Sequence, residues 1–248
     1  MQKEKHKQPQ PQKKIVLMSL GGSVGKTMIT TQCLYPHMPE AHILCVDQIN
    51  TTAADFGIKN CTSLAGDEFN KAYRALMGAD GDVIVDVGGA KECNEFLKGM
   101  LEVDGSDEIT TIIIPAKPNA KDQGCALDTI QRLIIDGVDP TKIKVIFTGT
   151  VKNTANEFGQ LISGMKKHGL QPDLDLTIFN SSVYNELIEE QELITDVLAD
   201  KTDYKDKARN QQSGDTTDYT GKLLRQRMAH NVAWPNLQMV FKTLFPQG

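Results

Sequence analysis

The sequence lacks the features that mark several classes of protein. Its five cysteines are an odd number, are widely spaced and form no C-x-x-C pair, which argues against a disulfide framework and against a zinc site. No apolar run approaches the roughly 20 residues that span a bilayer, and the N-terminus lacks the apolar segment of a secretory signal. We therefore expect a cytoplasmic protein with no transmembrane segment.

The chain also lacks an excess of positive charge, with 27 Lys or Arg against 32 Asp or Glu. The 248 residues carry a formal net charge of −5, so the chain as a whole is not an obvious nucleic-acid binder. One region differs: residues 201–248 hold eight Lys or Arg against four Asp, which gives a local charge of +4. Direct contact with DNA phosphates and a merely solvated surface are both compatible with this charge. Association with DNA through a partner protein is the safer prediction.

Short apolar segments alternate with segments of helical periodicity from Ile15 onward. Continuous apolar strands that alternate with helices indicate βαβ units and a sheet covered on both faces. We predict a three-layer, doubly wound α/β fold with a mostly parallel sheet, in which ligands lie beyond the carboxyl ends of the strands. The six predicted strands are 15–20, 41–47, 82–89, 109–116, 143–149 and 174–180.

The composition also divides the chain into segments. Residues 1–14, rich in Gln, Lys and Pro, are predicted to be a disordered basic tail, and 15–200 the main domain. The strongly polar stretch 201–222 is predicted to be mobile. Residues 223–248 are predicted to be a helical extension packed on the same domain, with a partner or dimer surface as the alternative.

The stretch SLGGSVGKTMITT, residues 19–31, joins the first predicted strand to a predicted helix. Glycines there let backbone N–H groups converge on phosphate oxygens, and the helix N-terminus adds positive charge. Lys26 would bind the β- and γ-phosphates, and Thr27 would offer its hydroxyl to Mg²⁺. The alternative is a glycine-rich turn with a solvated lysine. The residues predicted to bind ATP here are Gly21, Gly22, Ser23, Val24, Gly25, Lys26, Thr27 and Met28.

Two aspartates at predicted strand ends complete a candidate catalytic set with Lys26. Asp86 ends the apolar run DVIVD, as in a Walker B element, and would hold Mg²⁺ through a water ligand. Gly88 and Gly89 would let the next loop approach the γ-phosphate. Asp47 ends another strand, where it would orient the attacking water or join the Mg²⁺ shell. A role for Asp47 as a turn cap is equally compatible with the sequence.

The end of the fifth predicted strand, FTGT, would lie where a nucleotide base could rest. Thr148 is predicted to contact the nucleotide there, and Thr150 is a second polar candidate. Two prolines in the loop PAKPNAKDQG, after the fourth strand, would stiffen a loop over the same crevice.

These motifs carry a resemblance that covers about residues 14–200. KIVLMSLGGSVGKT, LCVDQIN, VIVDVGG and IIIPAKPNAKD resemble the deviant Walker A family of ParA and MinD, and most closely the StbB-type plasmid stability proteins. The resemblance implies a P-loop NTPase fold and an ATPase that uses Mg²⁺. It also implies a DNA-binding partner in plasmid maintenance or conjugative transfer, and a nucleotide-dependent homodimer.

The sequence departs from the family pattern K-G-G-x-G-K-[ST] at two positions. Gly21 stands where the family has its signature lysine, which reaches the partner's phosphates, and Ser23 stands where a second glycine is usual. Asp47 is followed by Gln-Ile, so the second carboxylate of the family's D-x-D is missing. We therefore predict nucleotide binding with slow turnover, unless another cation replaces the lysine. The candidates are Lys91, Lys117, Lys121 and Arg209.

Two other functions are compatible with a phosphate loop of this kind. One is an ATP-dependent metabolic ligase that resembles dethiobiotin synthetase, although no second cluster for a small acid or amine is evident. The other is a nucleotide-gated adaptor, in which ATP only orders loops for a partner.

Overall fold

A parallel β-sheet of seven strands forms the centre of the computed structural model, which describes residues 12–47, 52–65, 68–211 and 217–246. Most of the predicted tail 1–14 and part of the segment 201–222 therefore lie outside the described residues. The strands are β1 Lys14–Leu17, β2 His42–Val46, β3 Cys61–Leu64, β4 Val83–Val87, β5 Thr111–Ala116, β6 Ile143–Thr150 and β7 Thr177–Phe179.

The strands lie in the order β3-β2-β4-β1-β5-β6-β7, and every neighbouring pair is parallel. The predicted doubly wound fold is thus confirmed. Strand β1 lies centrally, with Leu17 opposite Asp86 of β4 on one side and opposite Ile113 of β5 on the other. After β1 the chain forms β2, β3 and β4 on one side of it and then crosses to β5, β6 and β7 on the other side, so that a crevice opens at the carboxyl end of β1.

Helices follow most of the strands. They are α1 Lys26–Met28, α2 Phe69–Gly78, α3 Ala90–Glu102, α4 Ala120–Ile135, α5 Thr154–Glu157, α6 Gly159–Lys167, α7 Ser182–Glu189, α8 Ile194–Ala199, α9 Tyr204–Arg209, α10 Tyr219–Met228 and α11 Trp234–Leu244. None of the helices in the described part of the chain is long and apolar enough to cross a membrane.

The apolar strands bury both faces of the sheet. In β1, Val16 faces a core built with α2, α3, α4 and α6, whereas Ile15 and Leu17 face a second core. The second core is built with the helical segment that follows the phosphate loop and with α7, α8 and α11. Side chains alternate between faces along a strand, so continuous apolar strands are required where both faces are covered.

The first predicted helix has an unusual form. Only three residues, Lys26–Met28, are α-helical; a π-helical turn, Ile29–Leu34, and a 3₁₀ turn, Tyr35–His37, continue it. The segment is rich in β-branched residues, which crowd a regular helix, and the Thr31 hydroxyl donates a hydrogen bond to the Thr27 carbonyl at 2.8 Å. All six residues of the π-helical turn are buried.

Other elements also differ from the prediction. The helical spacing of apolar residues in the sequence of 63–79 predicts one helix, but this segment contains the end of β3 and then α2. The strand was missed because it is a short edge strand with exposed Thr62 and Ser63 and no apolar run. The sequence of 183–198 likewise predicts one helix, but this segment forms two, α7 and α8, which are separated at Gln191, whose φ is +54°. Strand β1 begins at Lys14, one residue before the predicted domain boundary.

Candidate functional site

The phosphate loop leaves the carboxyl end of β1 and is anchored at its start. The Gly21 N–H donates a hydrogen bond to the Ser19 hydroxyl at 3.1 Å, and the Leu20 N–H donates one to the Thr129 hydroxyl of α4 at 3.0 Å. Leu20 also packs against the core. Leu20, which stands where glycine is usual, therefore anchors the start of the loop. Residues 21–25 form the curved part.

Gly25 sets the direction in which α1 leaves the loop. It has a φ of +99° and is the N-cap residue of α1. An L-residue is strained at this φ, because its Cβ approaches the backbone. Ser23 is also left-handed, with a φ of +55°. Left-handed residues at Ser23 and Gly25 turn successive backbone N–H groups toward the inside of the loop, where they can bind an anion.

Lys26 is buried at the base of the loop. Its side chain is 8% exposed, and its ammonium donates a hydrogen bond to the Gly21 carbonyl at 3.4 Å. Burial lowers the pKa of the Lys26 ammonium, and the negative charge of Asp86 is the largest of the effects that oppose this change. The Lys26 side chain thus lies across the loop. An anion that entered the loop would be attracted by the Lys26 ammonium at short range.

Asp86 faces Lys26 from the adjacent strand β4. Burial raises the pKa of the Asp86 carboxyl to about 6, and the nearby positive charge of Lys26 is the largest effect that opposes this rise. The Lys26 charge therefore favours the ionised form of the Asp86 carboxyl in a position where burial disfavours it. The predicted grouping of Lys26, Thr27 and Asp86 is therefore present in the fold.

Asp47 lies at the end of β2, beside the loop that follows β4. A Cβ added to Gly88 would lie 2.7 Å from the Asp47 carboxylate and 2.9 Å from the Val46 carbonyl. The Gly88 N–H also donates a hydrogen bond to that carbonyl at 2.8 Å. Gly88 is thus required by close packing against the end of β2, in addition to any movement of the loop.

A cleft of about 660 Å³ opens over these residues. All of the residues predicted to bind ATP line it except Gly21, whose carbonyl accepts the hydrogen bond from Lys26. Asp47 and Asp86 line it as well. A volume of this size is typical of sites for small molecules.

Thr148 lines the cleft, but its hydroxyl is engaged in holding the phosphate loop. The oxygen lies 3.0 Å from the Val24 carbonyl and 2.9 Å from the Ala116 carbonyl, and donates its proton to one of them. It thereby joins the loop to the ends of β5 and β6. Thr150, the second candidate from sequence, is buried and is not among the residues that line the cleft.

Sequence reasoning missed the wall of the cleft opposite the phosphate loop. This wall is formed by the end of β7 and by one side of α7: Asn180, Ser181, Tyr184, Asn185, Ile188 and Glu189. The available signal was the polar run FNSS at the end of the last predicted strand, since ligand-binding residues follow strand ends in this fold. Of the four candidates to replace the missing lysine, Lys117 alone lines the cleft, and it is exposed.

The cleft has the donor atoms that a phosphate-bound Mg²⁺ requires. Thr27 and Asp86 supply a hydroxyl and a carboxylate, and both residues line the same cleft. Among the described residues, no cluster of three or more His, Cys, Asp or Glu could hold a metal without help. Mg²⁺ usually binds one or two protein oxygens and takes its other ligands from phosphate and water. The residues present therefore fit a magnesium ion that arrives with a nucleotide.

Comparison with solved structures defines the fold more closely. The MinD cell division protein of Aquifex aeolicus matches with a TM-score of 0.59 at 14% identity, over 95% of this chain and 98% of that one. Apo McdA of Cyanothece matches with a TM-score of 0.52 at 16% identity, over 75% and 93% of the two chains. The chain has the MinD and McdA fold.

That likeness is one of structure alone. No protein-family model matches the chain, and no curated protein matches it by sequence. In the chain itself, the loop after the central strand β1 contains Gly21 to Thr27. The geometry of the cleft, and not sequence similarity, is therefore the basis for assigning a function.

Proposed function

We propose that this chain is a Mg²⁺-dependent, ATP-binding ATPase of the ParA and MinD type with slow turnover. One observation carries the proposal. The buried Lys26 ammonium lies at the base of a glycine-rich loop in which Gly25 is left-handed, and Asp86 and Thr27 line the same cleft. This arrangement suits a triphosphate, because the loop N–H groups, the lysine and a bridging Mg²⁺ all stabilise negative charge.

The proposed roles follow from the positions of the residues. Residues 21–25 would surround the phosphates, Lys26 would leave the Gly21 carbonyl to bind the β- and γ-phosphates, and Thr27 and Asp86 would hold Mg²⁺. Asp47 would orient the attacking water. Val24, Met28 and Thr148 would support the nucleotide from the sides of the cleft. Bound Mg²⁺ would supply charge stabilisation at the transferred phosphoryl group.

Slow turnover is supported by the absence of a lysine at position 21, where the chain has glycine and little room for a larger side chain. A Cβ there would lie 3.3 Å from both the Cys125 Cβ and a methyl group of Val24, so a longer side chain would need its neighbours to shift. A cation that stabilises the transferred phosphoryl group increases the rate by several powers of ten in this kind of chemistry. We expect a kcat below about 1 s⁻¹, the lower end of common enzyme rates.

ATP binding is tested by calorimetry with the wild type, Lys26→Ala and the control Lys98→Ala, which changes an exposed lysine of α3 outside the cleft. Loss of the Lys26 charge should weaken Mg²⁺–ATP binding by roughly tenfold or more, as for loss of a charged hydrogen bond. The Lys98 variant should bind as the wild type does. Equal affinity in all three proteins would contradict the proposed site.

We further propose that the ATPase acts in the cytoplasm, in plasmid stability, partition or conjugative transfer, with a DNA-binding partner and as a nucleotide-dependent homodimer. The support is the sequence resemblance and the local positive charge of residues 201–248. Light scattering with Mg²⁺ and a non-hydrolysable ATP analogue should show a larger mass than without nucleotide. Direct binding of duplex DNA should be weak and should fall steeply with salt.

Hydrolysis assays distinguish the competing functions. A metabolic ligase would consume ATP with a small acid or amine alone, whereas the proposed ATPase should respond to DNA or to a DNA-binding protein. A nucleotide-gated adaptor would show no hydrolysis above that of Lys26→Ala under any of these conditions.

A further inference from the structure

Two cysteines meet at the edge of the sheet beside the cleft. The sulfur atoms of Cys45 in β2 and Cys61 in β3 lie 3.5 Å apart and share a hydrogen bond. In the strand register Cys45 is opposite Ser63, and Cys61 is opposite Ile43, so the two thiols meet diagonally. Both cysteines are free thiols. No other pair of cysteines in the described residues makes such a contact.

We propose that Cys45 and Cys61 are a reversible oxidation site, at which a peroxide converts the two thiols to a disulfide. The proposal goes beyond the proposed ATPase function and does not depend on it. It rests on the contact between the two sulfur atoms and on the position of Cys61 in β3, an edge strand of the described sheet. A disulfide bond is about 2.05 Å long. The two sulfur atoms, now 3.5 Å apart, therefore need only a small displacement to form one.

The chemistry begins at Cys61, the more exposed of the two thiols. Its thiolate attacks hydrogen peroxide, which forms a sulfenic acid and releases hydroxide. The Cys45 sulfur then attacks that sulfenic acid; the S–S bond forms, the S–O bond breaks, and water leaves with the Cys45 proton. Two thiols are oxidised and one peroxide is reduced. A small thiol reverses the reaction by exchange.

The surroundings favour Cys61 over the buried cysteines. The pKa of the Cys61 thiol is lowered, chiefly because the Cys45 thiol hydrogen-bonds to it. Burial instead raises the pKa of Cys33 and of Cys93 to about 12. Thiolates are the reactive form of cysteine, so peroxide should reach and oxidise the pair before these two.

The site is mechanically connected to the cleft. Cys45 lines the cleft, lies opposite Asp86 in the strand register and is two residues before Asp47. In the described sheet, β3 pairs with β2 alone, so no second strand holds it in place. Closing the disulfide draws the Cys45 side chain away from the cleft and toward β3, which shifts the end of β2 relative to Asp86. This effect on nucleotide binding, unlike the disulfide itself, rests on the proposed function.

The test is peptide mapping of the full chain after treatment with hydrogen peroxide. Remaining thiols are alkylated, and the chain is cut with trypsin and a glutamate-specific protease, which cleave after Lys59 and Glu40 and so separate Cys33, Cys45 and Cys61. We expect a Cys45–Cys61 cross-linked peptide that dithiothreitol removes. Recovery of both cysteines as alkylated thiols, sulfinic acid at Cys61, or cross-links to other cysteines instead would overturn the proposal.

Variants and nucleotide binding complete the experiment. Cys61→Ser should form no cross-link, whereas the control Cys125→Ser, which changes another half-buried cysteine, should retain it. In the wild type, oxidation should weaken Mg²⁺–ATP binding by roughly fivefold or more, and dithiothreitol should restore it. A cross-link with unchanged affinity would overturn the proposed effect on the cleft. A cross-link in a chain that never binds ATP would leave the oxidation site standing and reject the ATPase.

Discussion

Gly25 shows how strongly one backbone position can constrain the phosphate loop. Its φ of +99° is strained for any residue with a Cβ, and such strain costs about 1–3 kcal/mol. We expect Gly25→Ala to lower the free energy of unfolding by about 1–2 kcal/mol, measured by urea denaturation without nucleotide. Gly22→Ala is the matched control, because nothing lies within 4 Å of its added Cβ. Equal losses in the two variants would contradict this interpretation.

Asp86 is expected to reduce stability in the absence of nucleotide. Its folded pKa of about 6 exceeds the ordinary value of 3.8, so the folded state holds the proton more tightly than the unfolded state. The free energy of unfolding therefore falls as the pH rises from the unfolded pKa through the folded pKa. Burial of a charge without full compensation is the physical cause.

Asp86→Asn, which resembles the protonated carboxyl, should remove this pH dependence. We expect the variant to be more stable than the wild type, with an advantage that grows by roughly 1 kcal/mol between about pH 5 and pH 7. Urea denaturation without nucleotide or Mg²⁺ measures the difference. A constant difference across that range would show that Asp86 is already ionised in the folded state at pH 5.

Single residues of the site differ in how well sequence could predict them. Lys26, Thr27 and Asp86 were predictable, because each belongs to a local motif at a strand end. Thr148 is predicted as a nucleotide contact, but whether its hydroxyl faces the cleft or the Val24 carbonyl depends on a contact between residues that are 124 apart in sequence. Asn185 carries no local signal, since it reaches the cleft only through the packing of α7.

At the scale of elements, Gln32 joins two parts of the chain that are distant in sequence. Its side-chain amide donates a hydrogen bond to the Glu192 carbonyl at 3.1 Å and accepts one from the Ile194 N–H at 2.7 Å. The π-helical turn after the phosphate loop is thereby fastened to the loop between α7 and α8. This contact links the segment behind the phosphate loop to the chain just after α7, the helix that forms part of the opposite wall of the cleft.

Gln32→Leu should cost about 1–3 kcal/mol in the free energy of unfolding, because two backbone groups would lose a partner inside the protein. Gln131→Leu, at an exposed position of α4, should change it by less than about 0.5 kcal/mol. Thermal and urea unfolding of the two variants gives the comparison. A similar small effect for both would mean that water replaces the Gln32 contacts.

Elements with a clear periodic pattern were predicted, and those set by tertiary contacts were not. The strands of the sheet centre, such as β4, are apolar throughout and are recognisable from sequence. The edge strand β3 has only one partner and a polar surface, so its four residues contain no such pattern. The π-helical turn was also unpredictable, because its form depends on burial against α11 as well as on its own residues.

At the scale of the whole molecule, the C-terminal helix α11 closes the sheet on the side of β7. The Asn236 side chain accepts a hydrogen bond from the Phe179 N–H at 3.0 Å and donates one to the Thr177 carbonyl at 2.8 Å. It therefore satisfies backbone groups that an eighth strand would otherwise pair. Uncovered strand edges promote association between sheets.

Asn236→Ala should destabilise the chain by about 1–3 kcal/mol, through the loss of both contacts, and should increase self-association through the edge of β7. Asn231→Ala, on the exposed side of the same helical region, is the control. Urea unfolding and light scattering at several protein concentrations measure the two effects. Unchanged scattering together with unchanged stability would show that β7 needs no cover.

Helix α11 also covers the helical segment that follows the phosphate loop. The Cys33 thiol donates a hydrogen bond to the Leu237 carbonyl, and His37 stacks on Trp234 and Phe241 with ring centroids 4.9 and 4.3 Å apart. The ribosome makes the phosphate loop and the helical segment after it well before α11, which follows later in the chain. The growing polypeptide therefore keeps the apolar side of that segment uncovered until α11 has been made, and one wall of the cleft should reach its final packing only at that stage.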